Sequence, residues 1–188
     1  NCYALQKITM SNSVTSIGLY TFQDCRSLLS ITLPNSLKEI SGGHFSGCSS
    51  LREAILPNSV TSWNSYDLFK GCGSLETIVW PVSGVTGFGY QTCYGCHSLK
   101  NITFPSTLKS ISDFAFTSCV ALNKVSFPAG ISSLYNNAFN GCTGVWEYDF
   151  RQATAVPYLE GQSLYLVGNG TKIVVPDNLY NQWITASN

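Results

Sequence analysis

The residues best suited to chemistry are two cysteines, Cys93 and Cys96, in the sequence Cys-Tyr-Gly-Cys. This C-x-x-C spacing is typical of redox proteins, in which the first thiolate lies at a helix start with a lowered pKa. Both cysteines also fall at positions that recur along the chain, where a small buried hydrophobic side chain is expected. We therefore interpret the pair as structural, with a reactive thiol as the alternative that rapid labelling of the folded protein would reveal.

The two histidines are poorly placed to form a metal or catalytic site. His44 and His97 fall at unrelated positions of the repeating pattern described below, and no His/Cys cluster has the spacing of metal ligands. Nucleophilic catalysis needs a base beside a nucleophile and a third group to orient that base. The sequence therefore predicts no metal site and no nucleophilic enzyme.

Two glutamates, Glu53 and Glu76, are the nearest candidates for paired carboxylates because they lie in adjacent repeats. Glu76, however, shares its repeat position with Arg52 and Lys100, so a solvated ladder of alternating charge is the simpler interpretation. We predict that the protein is not an enzyme and has no cofactor.

Seven of the eight cysteines form one repeating position, with spacings of 23 or 24 residues: Cys2, Cys25, Cys48, Cys72, Cys96, Cys119 and Cys142. A fixed period in this range indicates stacked structural repeats. Counting from each cysteine, the third, sixth and eighth residues are apolar or aromatic, and a proline follows the eighth in five repeats. Alternation over the sixth to eighth residues predicts one short strand that the proline ends.

One such unit cannot bury its apolar positions alone, so neighbouring units must stack with their strands parallel. Seven strands at a separation of about 4.8 Å predict a sheet on the order of 30 Å long. Adjacent cysteines would then be close enough for a disulfide, but equivalent side chains point the same way. We expect a ladder of free thiols.

The motif C-x-x-L-x-x-I-x-L/F-P-x-x-L/V-x-x-I followed by Phe resembles the BspA-like (Treponema-type) leucine-rich repeat, over residues 2 to about 150. Departures are local: Cys93 replaces Phe, Trp63 replaces Ile, and Arg151 replaces the last proline. The prediction is a right-handed leucine-rich repeat solenoid with one short parallel strand per repeat of 23–24 residues. About seven repeats would occupy residues 1–150, and residues 151–188 would form a C-terminal strand-helix cap of the same domain.

The cap is predicted from the tail, where the period fails. Residues 172–176 suggest a last strand after a Gly168-Asn169-Gly170 turn, and residues 177–184 suggest a short helix. Asp177 is the expected N-cap, and Leu179 with Trp183 and Tyr180 with Ile184 are i, i+4 apolar pairs of this helix. The amino end has no comparable cap, so we expect either that further repeats precede it or that it is exposed.

A binding surface is expected where the fifth and seventh residues of each repeat point outward from the strand. We call these residues the strand face, and its candidate binding residues are Glu53, Ile55, Thr77, Val79, Asn101 and Thr103. Ile55 and Val79 form an apolar centre of the kind that anchors a protein partner. The alternative is the ordinary β-propensity of a solvated strand.

Aromatic residues in the turns before the phenylalanine position form a second candidate surface: Tyr20, Tyr66, Tyr90, Phe114 and Tyr135. Tyr66 and Tyr90 are its best binding candidates. Exposed tyrosines stack on sugars or fill hot spots of protein interfaces. The alternative is that they pack the turns.

Ten basic and ten acidic residues balance, and only 11% of residues are charged, which argues against nucleic-acid binding and against an anionic membrane surface. No apolar run is long enough to insert into a membrane. The resemblance implies a secreted or cell-surface protein whose signal peptide lies upstream, and which adheres to a host or microbial surface protein or glycan. The alternative is a structural spacer within a larger surface protein. The sequence does not predict an oligomeric state.

Overall fold

The computed structural model describes residues 2–165 and 170–186, with side chains up to residue 183. The predicted Gly168-Asn169 turn and the Ile184 side chain lie outside the described residues. The strands within them are β1 (Ser30–Thr32), β2 (Glu39–Ser41), β3 (Glu53–Ile55), β4 (Ser62–Asn64), β5 (Thr77–Val79), β6 (Gly87–Phe88), β7 (Ser110–Ile111), β8 (Lys124–Ser126), β9 (Ser133–Leu134), β10 (Glu147–Asp149), β11 (Tyr158–Leu159) and β12 (Lys172–Val174). A 3-10 turn, Asp177–Leu179, leads into helix α1, Tyr180–Ala186.

The predicted strands stack as a solenoid and pair in parallel between successive turns. Strand β3 lies between β1 and β5, and β10 lies between β8 and β12. Pairing joins equivalent repeat positions, so that Ala54 lies opposite Ile31 on one side and Ile78 on the other. This first row of strands confirms the leucine-rich repeat solenoid.

A second row of strands was not predicted. It consists of the pair β2–β4 and the four-stranded sheet β6–β7–β9–β11, all parallel. Its central residues, such as Ile40 and Ile111, are fully buried, whereas the serines beside them are at least partly exposed. The same alternation of apolar and polar residues that predicts the first strand therefore also explains the second.

The first row is broken at the fifth repeat, where the sequence predicts a strand. Asn101–Phe104 form no strand and make no backbone hydrogen bonds to the turns on either side. The Phe104 and Phe127 rings stack 5.7 Å apart across this break, against 4.2 Å for Phe127 and Phe150 across paired strands. The break in backbone pairing therefore coincides with a wider ring separation in the core beneath it. The strand predicted around Ile8 in the first repeat is also absent.

The recurring cysteine and phenylalanine positions lie in the core together with the recurring leucine, isoleucine and valine positions. All eight cysteines are free, as predicted, and all except Cys2 are buried. Each central thiol donates to a backbone carbonyl of the preceding turn, as Cys72 does to Phe45 at 3.0 Å and Cys96 to Phe69 at 3.2 Å. The buried thiols at the recurring cysteine position therefore have hydrogen-bond acceptors inside an apolar core.

The C-terminal cap has the predicted strand and helix. Strand β12 extends the first row beyond β10, and the helical segment buries Leu179 and Trp183. The Trp183 ring lies 4.8 Å from the Phe150 ring, which closes the end of the core. Asp177 is not the N-cap, because the 3-10 turn already includes it and the preceding residue, Pro176, has no side-chain donor or acceptor. At the amino end, Leu5, Ile8 and Val14 are only partly buried.

Candidate functional site

The C-x-x-C cysteines are interior groups. Cys93 and Cys96 have no exposed surface, and burial raises the pKa of both thiols. Burial likewise raises the pKa of Cys48 to about 12. Thiols with such pKa values are protonated at neutral pH, so the nucleophilic thiolate is suppressed. The geometry supports the structural interpretation of the pair.

The histidines and carboxylates are also dispersed. His44 is buried, its Nε2 accepts the backbone N–H of Ser41 at 3.3 Å, and burial lowers its pKa. Glu76 forms an ion pair of 3.9 Å with Lys100, as the charge ladder predicts. In the described part of the chain, no three His, Cys, Asp or Glu side chains cluster closely enough to hold a metal ion. The described helices include none with the length and hydropathy of a membrane span.

The strand face brings Ile55 and Val79 together at its centre. The two residues are register partners in β3 and β5, and Glu53 faces Thr77 in the same register. Val79 is 46% exposed, and Val82, just beyond Pro81, is 67% exposed. The backbone N–H of Val82 donates to Asn58 Oδ1 at 2.9 Å, which fixes the turn that carries it. We call Ile55, Val79 and Val82 the valine patch.

Two shallow grooves lie beside the valine patch, at the break in the first row. The first groove has a volume of about 240 Å³ and is lined by Trp80, Pro81, Val82, Thr103, Phe104, Pro105 and Ser106. The second has a volume of about 260 Å³ and is lined by Ile102, Thr103, Phe104, Ser126, Phe127, Pro128 and Gln152. Thr103, a predicted site residue, lines both grooves, and Asn101 is exposed just before them.

Sequence reasoning missed Val82. It has the proline position ending the strands and flanking Ile55 and Val79, and in the structure Pro81 and Pro105 also line the first groove. An available signal was the extra residue that this repeat carries between Pro81 and Val85. The insertion lengthens the turn and places Val82 in solvent.

Charge is concentrated at the C-terminal end of the strand face, where it is satisfied internally. The Lys124 ammonium lies 2.7 Å from Glu147 and 3.0 Å from Asp149, and Arg151 lies 2.6 Å from Asp149. Hydrogen bonds from Arg151, together with Lys124, hold the pKa of Asp149 well below its usual value. This end of the face resembles a closed ion-pair network more than a ligand site.

Tyr66 and Tyr90 form a separate surface. Their rings stack at 5.7 Å, and Phe114 meets Tyr90 edge-on at 5.8 Å. The negative charge of Asp67 raises the pKa of Tyr66. Both tyrosines follow strands of the second row, whereas Ile55 and Val79 lie in the first. The eight predicted site residues therefore divide into two surfaces.

Comparison with known proteins agrees with this architecture. The family model for the BspA type leucine rich repeat region matches residues 1–83 and 65–182, with six copies. No curated protein matches the chain.

Solved bacterial structures share the fold. A leucine-rich repeat protein from Eubacterium ventriosum has a TM-score of 0.71 and 24% identity, over 86% of this chain and 44% of that chain. A leucine rich cell surface protein from Faecalibacterium prausnitzii has a TM-score of 0.64 and 23% identity, over 78% and 48%. The leucine rich repeat protein of T. pallidum has a TM-score of 0.60 and 24% identity, over 85% and 84%.

The chain thus spans about half the length of the Eubacterium and Faecalibacterium proteins. At these identities the structural likeness shows the fold alone. The family match is broader, because its two segments together extend over nearly the whole sequence. The chain belongs to the BspA-type leucine-rich repeat family.

Proposed function

We propose that the protein is a non-catalytic module that acts outside the cell and adheres to a protein of a host or microbial surface. The valine patch would be the centre of the contact. A family of stacked repeats built for interaction supports the proposal, as does the likeness to a protein described as a cell surface protein. The observation that carries it is the exposure of aliphatic side chains directly beside two grooves.

The valine patch has the composition of an interface core. Val79 and Val82 are β-branched side chains with few rotamers, so ordering them at an interface costs little conformational entropy. Covering the exposed part of each would contribute about 1 kcal/mol. Glu53, Thr77 and Ser106 supply the polar rim around this centre, the arrangement that interfaces favour.

The grooves add a place for a partner side chain to enter. Trp80 and Phe104 form the aromatic wall of the first groove, and two prolines flank it. Trp80 Nε1 is buried without a hydrogen-bond partner among the described residues. An acceptor from a partner that reached this nitrogen would remove the cost of leaving it unpaired.

The non-catalytic part of the proposal is supported by the state of the reactive groups. The central thiols are buried and protonated, and His44 is buried with a lowered pKa. Protonated interior thiols cannot attack a substrate at the surface.

A structural spacer is the second candidate function. The continuous ladder of thiol-to-carbonyl hydrogen bonds and the closed ion-pair network at Asp149 favour it, because both serve rigidity. A spacer would hold another domain away from the cell and bind nothing itself.

The test is a binding screen of the purified chain by biolayer interferometry against fibronectin, fibrinogen, mucin glycans and whole bacterial cells. We expect binding to a protein partner that is lost in the double variant Ile55→Asp, Val79→Asp. The matched control is Thr9→Asp, Ser30→Asp, which adds the same charge at exposed positions of the strand face that lie outside the valine patch and both grooves. Equal loss in both variants, or silence across the panel, would favour the spacer.

A further inference from the structure

A separate recess lies on the outer surface of the second row, between β4 and β7. It has a volume of about 220 Å³ and is lined by Trp63, Asn64, Ser65, Thr86, Gly87, Phe88, Gly89, Ser110 and Ser112. We call it the trough. None of these lining residues carries a charge, and most carry a hydroxyl, an amide or no side chain at all.

The trough exists because two outward positions of the second row are glycine. The residues before and after the central one are Ser62 and Asn64 in β4, but Gly87 and Gly89 around Phe88. A Cβ atom at Gly87 would lie 2.8 Å from Ser110 Oγ, and one at Gly89 would lie 3.0 Å from the Tyr66 nitrogen. Neither glycine has the positive φ that would itself require glycine. Space, and not backbone conformation, is what these glycines provide.

An aromatic floor crosses a break in the second row. Strands β4 and β6 lie in consecutive turns but belong to different sheets. The Trp63 indole bridges them, with Nε1 donating to the Gly87 carbonyl at 2.8 Å. The equivalent position holds Ile17, Ile40, Phe88, Ile111 or Leu134 in the other repeats, so Trp63 differs from them in carrying a ring with a polar N–H.

Stacked tyrosines stand beside the trough. Asn64, which lines it, accepts the backbone N–H of Tyr66 through Oδ1 at 3.2 Å. Tyr66 and Tyr90 are 42% and 38% exposed, and their rings stack on each other. Their phenol groups extend the uncharged hydroxyl-bearing surface past the edge of the recess.

We propose that the trough binds an uncharged sugar residue of a glycan chain, of the hexose or N-acetylhexosamine class. Sugars combine hydroxyl groups with apolar C–H faces, which match hydroxyl and amide side chains around an aromatic floor. An anionic ligand would find no cation in the lining. A peptide strand would need open backbone groups at the break between β4 and β6, and the Trp63 indole already bonds the Gly87 carbonyl there.

This site is independent of the valine patch, since it lies on the other row of strands. The two proposals can therefore fail separately. In the Ile55→Asp, Val79→Asp variant the trough is unchanged, so sugar binding is retained whether or not the protein contact exists.

The experiment is a titration of the folded chain with neutral hexaoses, namely cellohexaose, maltohexaose, mannohexaose and N-acetylchitohexaose, followed by the NMR signal of the Trp63 indole N–H. We expect at least one to shift this signal saturably at millimolar concentration. Gly87→Val fills the trough and should weaken binding by at least about tenfold, as expected when a binding site is sterically blocked. Ser133→Val, at the same repeat position two turns away, should leave binding unchanged.

Asn64→Ala is the second variant, because it adds no atoms and tests the site even if Gly87→Val fails to fold. It should weaken binding about fivefold, the factor expected for one lost neutral hydrogen bond. The proposal is overturned if no neutral hexaose binds the folded chain, or if binding survives Gly87→Val. It is also overturned if sialyllactose or a proline-rich peptide, added as competing probes, binds the trough more tightly than every neutral sugar.

Discussion

The two surfaces differ in how the solenoid builds them. On the first row, β-branched residues at outward positions project from the strands, and Val79 is 46% exposed. On the second row, glycines at outward positions leave a recess floored by Trp63. Each surface lies beside a place where neighbouring turns fail to pair, at Asn101–Phe104 in one row and between β4 and β6 in the other. Grooves and recesses in this repeat fold thus arise where the regular pairing of strands is interrupted.

Removing a shared core ring should have the largest effect, because both surfaces depend on it. The Phe116 ring lies 5.5 Å from Phe88 under the second row and 5.8 Å from Phe104 under the first. Phe116→Ala should lower the free energy of unfolding by roughly 3–5 kcal/mol in urea titration. Val120→Ala, at a half-exposed position, should change it by less than about 0.5 kcal/mol. Similar losses in the two variants would contradict the shared core.

Alanine substitutions at the two glycines of the trough should lower the free energy of unfolding by different amounts. A Cβ atom at Gly89 would meet the backbone of Ser65 and Tyr66 at 3.0–3.4 Å, and backbone cannot move cheaply. Gly89→Ala should therefore cost about 1–3 kcal/mol. At Gly87 the nearest atom is the hydroxyl of Ser110, which can rotate away, so Gly87→Ala should stay within about 1 kcal/mol of the parent. The prediction is contradicted if Gly87→Ala lowers the free energy of unfolding more than Gly89→Ala does in chemical denaturation.

These glycines also show how far sequence reasoning extends. The cysteine, leucine and phenylalanine positions predict the solenoid and the free thiols because burial acts on every repeat in the same way. They also place Ile55 and Val79 side by side. The breaks in pairing were not predictable, because the residues at Asn101–Phe104 keep the apolar and polar pattern of the repeats that do form strands. The trough was missed because a glycine in one repeat has no periodic signal.

Acid should destabilise the protein through His44 at a higher pH than through Asp149. Burial lowers the pKa of His44 below its usual value of 6.5, although the Glu39 charge and the Gly18 carbonyl oppose this. The folded state therefore binds fewer protons than the unfolded state, and stability falls as the pH drops through 6.5. The pKa of Asp149 is lowered from 3.8, so its contribution is lost only at more acidic pH. Urea midpoints measured from about pH 7.5 to about pH 5.5 should fall in the parent and much less in His44→Gln.

The smallest effect concerns the stacked tyrosines. Because Tyr66 and Tyr90 are both partly exposed, their ring contact should contribute only about 0.5 kcal/mol. A double-mutant cycle with Tyr66→Ala and Tyr90→Ala measures this coupling free energy. A coupling several times larger would mean that the pair maintains the turn structure and is not free to serve a ligand.

The central claim is that one rigid scaffold carries two independent binding surfaces. The most direct measurement is a crossed binding assay, in which the parent chain, the Ile55→Asp, Val79→Asp variant and the Gly87→Val variant each meet the protein partner and the neutral hexaose. We predict that the first variant loses only the protein and the second loses only the sugar. Loss of both ligands in either folded variant, or loss of neither in both, would contradict the claim.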